Sequence, residues 1–278
     1  MSHLDIIEIA DRCDPRIAPY VSVRERDLTG GADGRFIVEG KVALSTLLTR
    51  SRFAVDSLFL CDTRLKPLDL LLSKVPPGIP VYVASQNVMD SIAGFAVHRG
   101  VLACARKRPA PRLDTLLAAL PAGPQTVLVL NRLSNHDNVG AAFRNAAAFG
   151  AQAVILDRQS CDPLYRKAIR VSSGTTLWLP YLLDGCGLSH VSQLEQAGFT
   201  LWAMTPDPGA PSLYTLNIPD RLAIMLGNEG DGLQTEVLEA ARPVRIPMVT
   251  GMDSVNVATA GAIALGHVYA ARGRAMHS

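Results

Sequence analysis

Hydrophobic positions in the second half of the chain cluster in short, unbroken runs rather than alternating with polar ones. Four such runs lie at residues 126–130, 153–156, 200–204 and 221–226. Continuous apolar runs of this length are typical of parallel strands that are buried on both faces. Amphipathic stretches with helical spacing separate the runs. The pattern therefore predicts an α/β fold with a three-layer, mostly parallel sheet.

The first hundred residues show a smaller version of the same alternation. Strands are predicted at residues 36–40, 54–61 and 79–83 and in a closing strand that ends at 104, with helices between them. This pattern indicates a small N-terminal α/β domain. A glycine cluster at 29–34 predicts a loop, and the basic, proline-containing residues 106–112 predict a hinge. We expect domains at 1–108 and 125–278, joined by a linker at 109–124.

Composition narrows the class of protein. The 278 residues are 48% hydrophobic and only 19% charged, which supports sizeable cores and argues against long disordered stretches. The net charge of +2 means that nucleic-acid binding would need local basic patches. The five cysteines are scattered and contain no C-x-x-C pair, so neither a disulfide framework nor a zinc site is predicted. We expect a reduced, cytoplasmic protein without a signal peptide or membrane span.

Two loops that follow predicted strands carry candidate chemistry. Ligands bind at the carboxyl edge of open α/β sheets, which is where these loops lie. Residues 131–138 lead into a helix for which Asn138 is the expected cap. This helix carries Arg144 among small apolar neighbours, and this placement favours an anion partner such as phosphate over an ordinary surface arginine. Residues 227–232 contain three glycines and Glu229. These residues fit two alternatives equally well, namely a loop whose backbone approaches a ligand closely and a plain glycine-rich turn.

The third loop lies within residues 245–265. A short strand ends at Ile246, and Asp253 or Ser254 is expected to cap the helix that follows. That helix is rich in alanine and glycine, so another backbone or a ligand can approach it closely. Ser254 and Asn256 lie at the amino-terminal end of this helix, where the free N–H groups of the first turn converge. Taken on its own, this stretch is better explained by a core helix that happens to begin with serine.

Taken together and in this order, the three loops resemble the motifs of the SpoU/TrmH family of RNA ribose 2′-O-methyltransferases, within the SPOUT superfamily. The residues that carry the resemblance are Asn138-Val139-Gly140 with Arg144, residues 226–230, residues 246–248 and residues 254–258, and residues 170–174 also fit a family segment. The resemblance covers the chain from about residue 125 onward. The N-terminal part is similar to the small ribosomal-protein-like domain that binds substrate in such enzymes.

The resemblance implies a specific set of properties. It implies a trefoil knot, a homodimer whose active site uses both subunits, and ribosomal or transfer RNA as the methyl acceptor. It implies S-adenosylmethionine as cofactor, without a metal. The implied cofactor-binding residues are Thr205, Gly227, Ile246, Met248 and Val255. The implied catalytic residues are Arg144, Asn138, Glu229, Ser254 and Asn256.

The chemistry of such a transfer is consistent with these residue types. A ribose 2′-OH is a weak nucleophile, so it must be held in line with the methyl group and helped to lose its proton. The sulfonium is already a good leaving group, so no metal or covalent nucleophile is needed. Arg144 matches the family's proposed catalytic arginine, but arginine stays protonated in proteins. Binding the neighbouring phosphate, and thereby lowering the pKa of the hydroxyl, is an alternative role.

Two other functions are alternatives to methyl transfer. A catalytically inactive RNA-binding protein would also account for the basic hinge and the auxiliary domain. A dinucleotide-dependent oxidoreductase fits only the strand–helix alternation, since no glycine fingerprint follows the first strand. The histidines at 98, 136, 190 and 267 form no pairs at metal-ligand spacing, so structural or solvated roles are expected for them.

Overall fold

The computed structural model describes residues 4–21, 34–94, 97 and 100–275, with side chains up to 273. Most of the glycine cluster predicted as a loop at 29–34, and His98, lie outside these residues. The chain divides into two compact units. The first comprises Met1–Pro109 and Pro163–Trp178, and the second comprises Ala110–Asp162 and Leu179–Ser278.

The first unit is built on a five-stranded mixed sheet. Its strands are β1 (Asp5–Glu8), β2 (Arg35–Glu39), β3 (Ala54–Cys61), β4 (Pro80–Ala84) and β5 (Val101–Arg106), in the order β1-β4-β3-β5-β2. The helices are α1 (Lys41–Thr49), α2 (Asp69–Leu72) and α3 (Gln86–Ala93). Strand β5 is antiparallel to both of its neighbours, whereas β4 is parallel to both of its own. One core cluster contains Phe59, Met89, Ile92 and Leu102, all fully buried.

A segment from the middle of the chain also belongs to the first unit. It contains helix α6 (Arg166–Val171) and a 3-10 turn at Thr175–Leu177. The backbone N–H of Arg52 donates to the carbonyl of Leu177 at 3.1 Å. Asp162-Pro163 has the residue types of a helix start, but Tyr165 is still extended and the helix begins at Arg166.

The second unit contains a six-stranded sheet in which every pair is parallel. Its strands are β6 (Gln125–Leu130), β7 (Ala153–Leu156), β8 (Tyr181–Leu183), β9 (Thr200–Met204), β10 (Arg221–Leu226) and β11 (Arg242–Val244), in the order β11-β9-β10-β6-β7-β8. The helices are α4 (Leu113–Ala118), α5 (His136–Ala148), α7 (Gly187–Gln196), α8 (Thr235–Ala240) and α9 (Val257–Ala275). The α/β fold with a mostly parallel sheet is confirmed, and the trefoil knot stays a prediction.

Two helices begin elsewhere than predicted because a different side chain caps each of them. The side chain of Asn135 accepts a hydrogen bond from the N–H of Asp137 at 2.8 Å, so α5 begins at His136. Asn138 is therefore not the cap but lies inside the first turn. In α9, Asn256 Oδ1 accepts from the N–H of Ala258 at 2.9 Å, in place of the expected Asp253 or Ser254. Both of the caps that we expected are wrong.

Arg272 on α9 holds together the amino-terminal ends of strands β6 and β10. Its guanidinium donates to Thr126 Oγ1 at 2.6 Å and to the carbonyl oxygens of Gln125, Pro219 and Asp220 at 3.2, 2.8 and 3.0 Å. The side chain is half-buried. Hydrogen bonds to a charged group are stronger than neutral ones, and their removal leaves buried acceptors without a donor.

We expect Arg272→Met to lower the free energy of unfolding of the second unit by about 2–3 kcal/mol, because the aliphatic stem stays and the donors are lost. Thermal unfolding followed by circular dichroism measures the change. Arg158→Met is the matched control, since its ion pair with Asp184 is exposed to solvent and should contribute at most about 1 kcal/mol. Equal unfolding temperatures for the two variants would show that Arg272 is not a structural clamp.

No helix among the described residues is both long enough and apolar enough to cross a membrane.

Candidate active site

A cavity of about 490 Å³ opens at the carboxyl edge of the parallel sheet in the second unit. It lies where strands β9, β10 and β11 end, the edge at which open α/β sheets bind ligands. The volume is within the range of small-molecule sites. All five residues predicted to bind cofactor line this cavity, namely Thr205, Gly227, Ile246, Met248 and Val255.

The loop that follows β10 is held in shape by hydrogen bonds within the loop. Asn228 Oδ1 accepts from the N–H groups of Gly230 and Asp231 at 2.8 and 2.7 Å. The N–H of Asn228 donates to the carbonyl of Gly232 at 3.2 Å. A Cβ atom on Gly227 would lie only 2.0 Å from the carbonyl carbon of Gly232, so this position requires glycine. The loop is therefore a preformed wall of the cavity.

A chain of side-chain amides joins the three sequence motifs beside the cavity. Asn256 Nδ2 donates to Asn138 Oδ1 at 3.0 Å, and Asn138 Nδ2 donates to Glu229 Oε1. Asn138 is 8% exposed. Both polar atoms of Asn138 are used, so the Glu229 carboxylate is fixed in orientation while it lines the cavity. Three residues that lie far apart in the sequence thus form one connected group.

Ser254 and Arg144, the remaining residues predicted to be catalytic, have different positions. Ser254 lines the cavity and is exposed. Arg144 is exposed on α5 and is absent from the residues that line the cavity. It lies six residues after Asn138, which places it about 240° around the helix and about 9 Å further along it. The side chains of Asn138 and Arg144 therefore project in different directions from α5.

The charge of the cavity lining is negative. Glu229, Asp231 and Asp253 contribute carboxylates, and none of the described residues that line the cavity is a lysine or an arginine. Much of the remaining lining is apolar, including Leu233, Leu238 and Met248. Apolar walls with a few carboxylates suit a small organic cation better than an anion. The positively charged sulfonium of S-adenosylmethionine fits this acidic and apolar lining.

The surroundings of Cys161, which include Glu229, raise the pKa of its thiol. Burial raises the pKa of Cys161 to about 11, and the negative charge of Glu229 contributes to the increase. The Cys161 Sγ donates to the carbonyl of Ser134 at 2.7 Å. A protonated thiol is a poor nucleophile, so Cys161 is suited to packing rather than to covalent catalysis. No cluster of three metal-ligating side chains occurs within the described parts of the chain.

Sequence reasoning missed several residues of the cavity. Met204 ends strand β9, and Leu233 and Leu238 follow the glycine-rich loop. Met204 could have been found from its position at the carboxyl end of a predicted strand. The roles of Leu233 and Leu238 depend on how the loop folds back, which local sequence does not indicate.

Comparison with known proteins gives consistent similarities. Residues 125–266 match the family described as the SpoU rRNA Methylase family. The chain is 39% identical over 269 residues to an uncharacterized tRNA/rRNA methyltransferase of Mycobacterium bovis, covering 94% of this chain and 91% of that protein. It is 30% identical over 200 residues to the 23S rRNA (guanosine-2′-O-)-methyltransferase RlmB of Ralstonia nicotianae, covering 71% of this chain and 79% of that one.

Solved structures share the fold. An AdoMet-bound rRNA methyltransferase from Sinorhizobium meliloti superposes with a TM-score of 0.78 at 21% identity, covering 96% of this chain and 98% of that chain. A structure described as an RNA 2′-O ribose methyltransferase superposes with a TM-score of 0.75 at 26% identity, covering 97% of this chain and all of that chain.

Proposed function

Because the chain belongs to the SpoU rRNA methylase family, we propose that it transfers the methyl group of S-adenosylmethionine to a ribose 2′-OH of ribosomal or transfer RNA. As a member of this family it is an RNA methyltransferase. The observation that carries the proposal is the connected group Glu229–Asn138–Asn256 beside a cavity with an acidic and apolar lining. A catalytically inactive RNA-binding protein would have no need to keep these three polar side chains joined at such a cavity.

The cofactor, when bound, supplies a methyl group on a good leaving group. The chain's own residues then have to position the acceptor and assist the loss of its proton. The glycine-rich loop and the residues after β9 and β11 form the walls that hold the cofactor and exclude water. Asn138 and Asn256 keep Glu229 in one orientation, and the exposed hydroxyl of Ser254 is available to the acceptor ribose.

The proposal includes a homodimer in which the partner's Arg144 reaches this cavity. Support comes from the exposure of Arg144 and from its absence among the residues that line the cavity of its own chain. Further support comes from α9. Tyr269 on this helix is 59% exposed, and Ile263 and several small residues of the same helix are only partly buried. An arginine that stays charged would bind a phosphate next to the acceptor and stabilise the developing negative charge on its 2′-oxygen.

Methyl transfer to RNA from a strain that lacks this gene tests the proposal. We expect the purified full-length chain to transfer labelled methyl groups from S-adenosylmethionine to ribosomal or transfer RNA, because that RNA still carries the acceptor hydroxyl. Alkaline hydrolysis should leave a labelled dinucleotide, since a 2′-O-methyl group blocks cleavage at its own linkage. Absence of transfer to both RNA fractions, together with absence of cofactor binding in calorimetry, would instead favour the inactive RNA-binding protein.

A further inference from the structure

Two stretches of the first unit carry positive charges and no negative ones. Residues 40–52 and 163–178 contain six lysines and arginines and no aspartate or glutamate. The whole chain nets +2, so the remaining residues net −4. The six cations are Lys41, Arg50, Arg52, Arg166, Lys167 and Arg170. A weakly charged protein thus keeps a strongly basic region in a small part of its chain.

The two stretches lie side by side in the fold. A Cβ atom on Gly174 would lie 3.0 Å from the side chain of Thr46 on α1. The carbonyl of Leu177 accepts hydrogen bonds from the backbone N–H of Arg52 at 3.1 Å and from Ser51 Oγ at 3.3 Å. Helix α1 and the segment with α6 therefore form one continuous surface. We call its exposed cations, Lys41, Arg50, Lys167 and Arg170, the basic seam.

The buried acid beside the seam is already neutralised by one of the half-buried cations. Glu39, whose side chain is 6% exposed, accepts from Arg166 Nη1 at 2.6 Å. Arg170 lies farther from the same carboxylate, at 3.8 Å, and its side chain is 47% exposed. Because Arg166 satisfies Glu39, the guanidinium of Arg170 keeps N–H groups directed to solvent.

The guanidinium of Arg50 lies over the ring of Trp178 in the same region. Its guanidinium carbon lies 3.4 Å from the ring centroid of Trp178, a cation–π contact. Stacking uses the face of a guanidinium and leaves the N–H groups at its edge available. An arginine that is oriented in advance loses less entropy when it binds a phosphate.

We propose that the basic seam binds the sugar–phosphate backbone of the RNA substrate. This inference rests on the proposed function and adds to it the surface that holds the acceptor RNA outside the catalytic cavity. Four exposed cations in one region of the first unit complement the negative charge of a nucleic-acid backbone. Such contacts position the RNA and leave the choice of nucleotide to other residues.

Full-length Lys167→Gln/Arg170→Gln tests the seam, with Arg12→Gln/Lys74→Gln as the matched control. Both pairs remove two exposed charges from the first unit. Binding of a short fluorescein-labelled RNA hairpin is measured by anisotropy over a series of potassium chloride concentrations. We expect the seam variant to bind on the order of tenfold more weakly at low salt, with a log–log salt slope that is shallower by about 2. The control should keep the wild-type slope.

A second pair on α1 separates binding from folding defects. Lys41→Gln/Arg50→Gln should give the same change in salt slope, and both seam variants should bind S-adenosylmethionine normally. The Lys167→Gln/Arg170→Gln variant should also unfold at the wild-type temperature, whereas the α1 pair loses the contact of Arg50 with Trp178. With RNA on which the wild type is active, KM for RNA should rise while kcat stays constant. Wild-type salt slopes in both seam variants, or an equal loss in the control, would overturn the proposal. Absence of methyl transfer by the wild type would refute the proposed function alone, because the binding assay does not depend on it.

Discussion

Arg144→Ala is expected to lower methyl transfer to RNA by roughly 10²–10³-fold while the affinity for S-adenosylmethionine stays unchanged. The rate falls because the fixed positive charge that stabilises the developing oxyanion is lost. Cofactor binding survives because Arg144 does not line the cavity of its own chain and, when it comes from the partner, is proposed to contact the acceptor rather than the cofactor. Single-turnover transfer measures the first quantity and isothermal titration calorimetry measures the second.

Two control variants define what the arginine contributes. Arg144→Lys keeps the charge but not the planar, two-pronged donor, so a partial loss is expected if phosphate binding matters. Arg242→Ala removes an exposed arginine at the edge strand β11 and should leave turnover unchanged. Near-normal turnover of Arg144→Ala would contradict a role for this residue in the transfer step.

Mixing two inactive chains tests whether Arg144 acts across a dimer. A hybrid of an Arg144→Ala chain and a Glu229→Gln chain contains one site with both native groups if the two residues meet between subunits. We expect co-expression to restore part of the transfer that each variant lacks alone. If Arg144 and Glu229 served the same site within one chain, every site in the hybrid would lack one of them and no activity would return.

The central strands were predictable because burial on both faces leaves a local signature. Strands β7, β9 and β10 have the predicted bounds. Because both faces of these strands are buried, their sequences are continuous apolar runs and do not alternate between apolar and polar residues. The edge strands β1 and β8 were missed for the opposite reason. β1 is four residues long and mostly exposed, and β8 has only three residues, so neither carries a pattern that stands out from a loop.

Long-range partners were not predictable from local sequence. Residues 163–178 follow a strand of the second unit, yet they fold with the first unit through contacts such as that of Arg166 with Glu39, 127 residues away. The helix caps Asn135 and Asn256 are of the expected residue type, but several neighbouring polar residues compete for each position. Which of them caps the helix is decided by tertiary geometry.

The composition of the site was predictable to a greater extent than its connections. The resemblance to the SpoU/TrmH family supplied the cofactor residues, the position of the three loops at strand ends indicated one edge of the sheet, and all of these cofactor residues line one cavity. The hydrogen bonds that join Asn138 to Glu229 and Asn256 depend on how α5 is rotated about its own axis. The sequence of one helical turn does not determine that rotation. The same rotation turns Arg144 away from the cavity of its own chain.

Gly227→Ala is expected to lower the affinity for S-adenosylmethionine on the order of 100-fold and the free energy of unfolding by about 1–3 kcal/mol. The sequence indicated that this glycine lets a ligand approach, but the structure gives a different reason. An added Cβ would lie 2.0 Å from the backbone of Gly232 and 2.2 Å from the nitrogen of Leu233. Backbone cannot yield as a flexible side chain can, so the loop must open and the cavity wall is lost.

Gly230→Ala provides the comparison within the same loop. Its added Cβ would meet only Asn228 Oδ1 at 3.7 Å, an ordinary contact, so the unfolding temperature should remain close to that of the wild type. Calorimetric titration with cofactor and thermal unfolding of both variants separate the effect of crowding from that of losing a glycine. A Gly227→Ala protein that unfolds like Gly230→Ala and binds cofactor normally would show that the close approach of Gly227 to Gly232 does not shape the cavity. Cofactor binding at this edge of the sheet therefore depends on a loop that is already formed, rather than on rearrangement around the ligand.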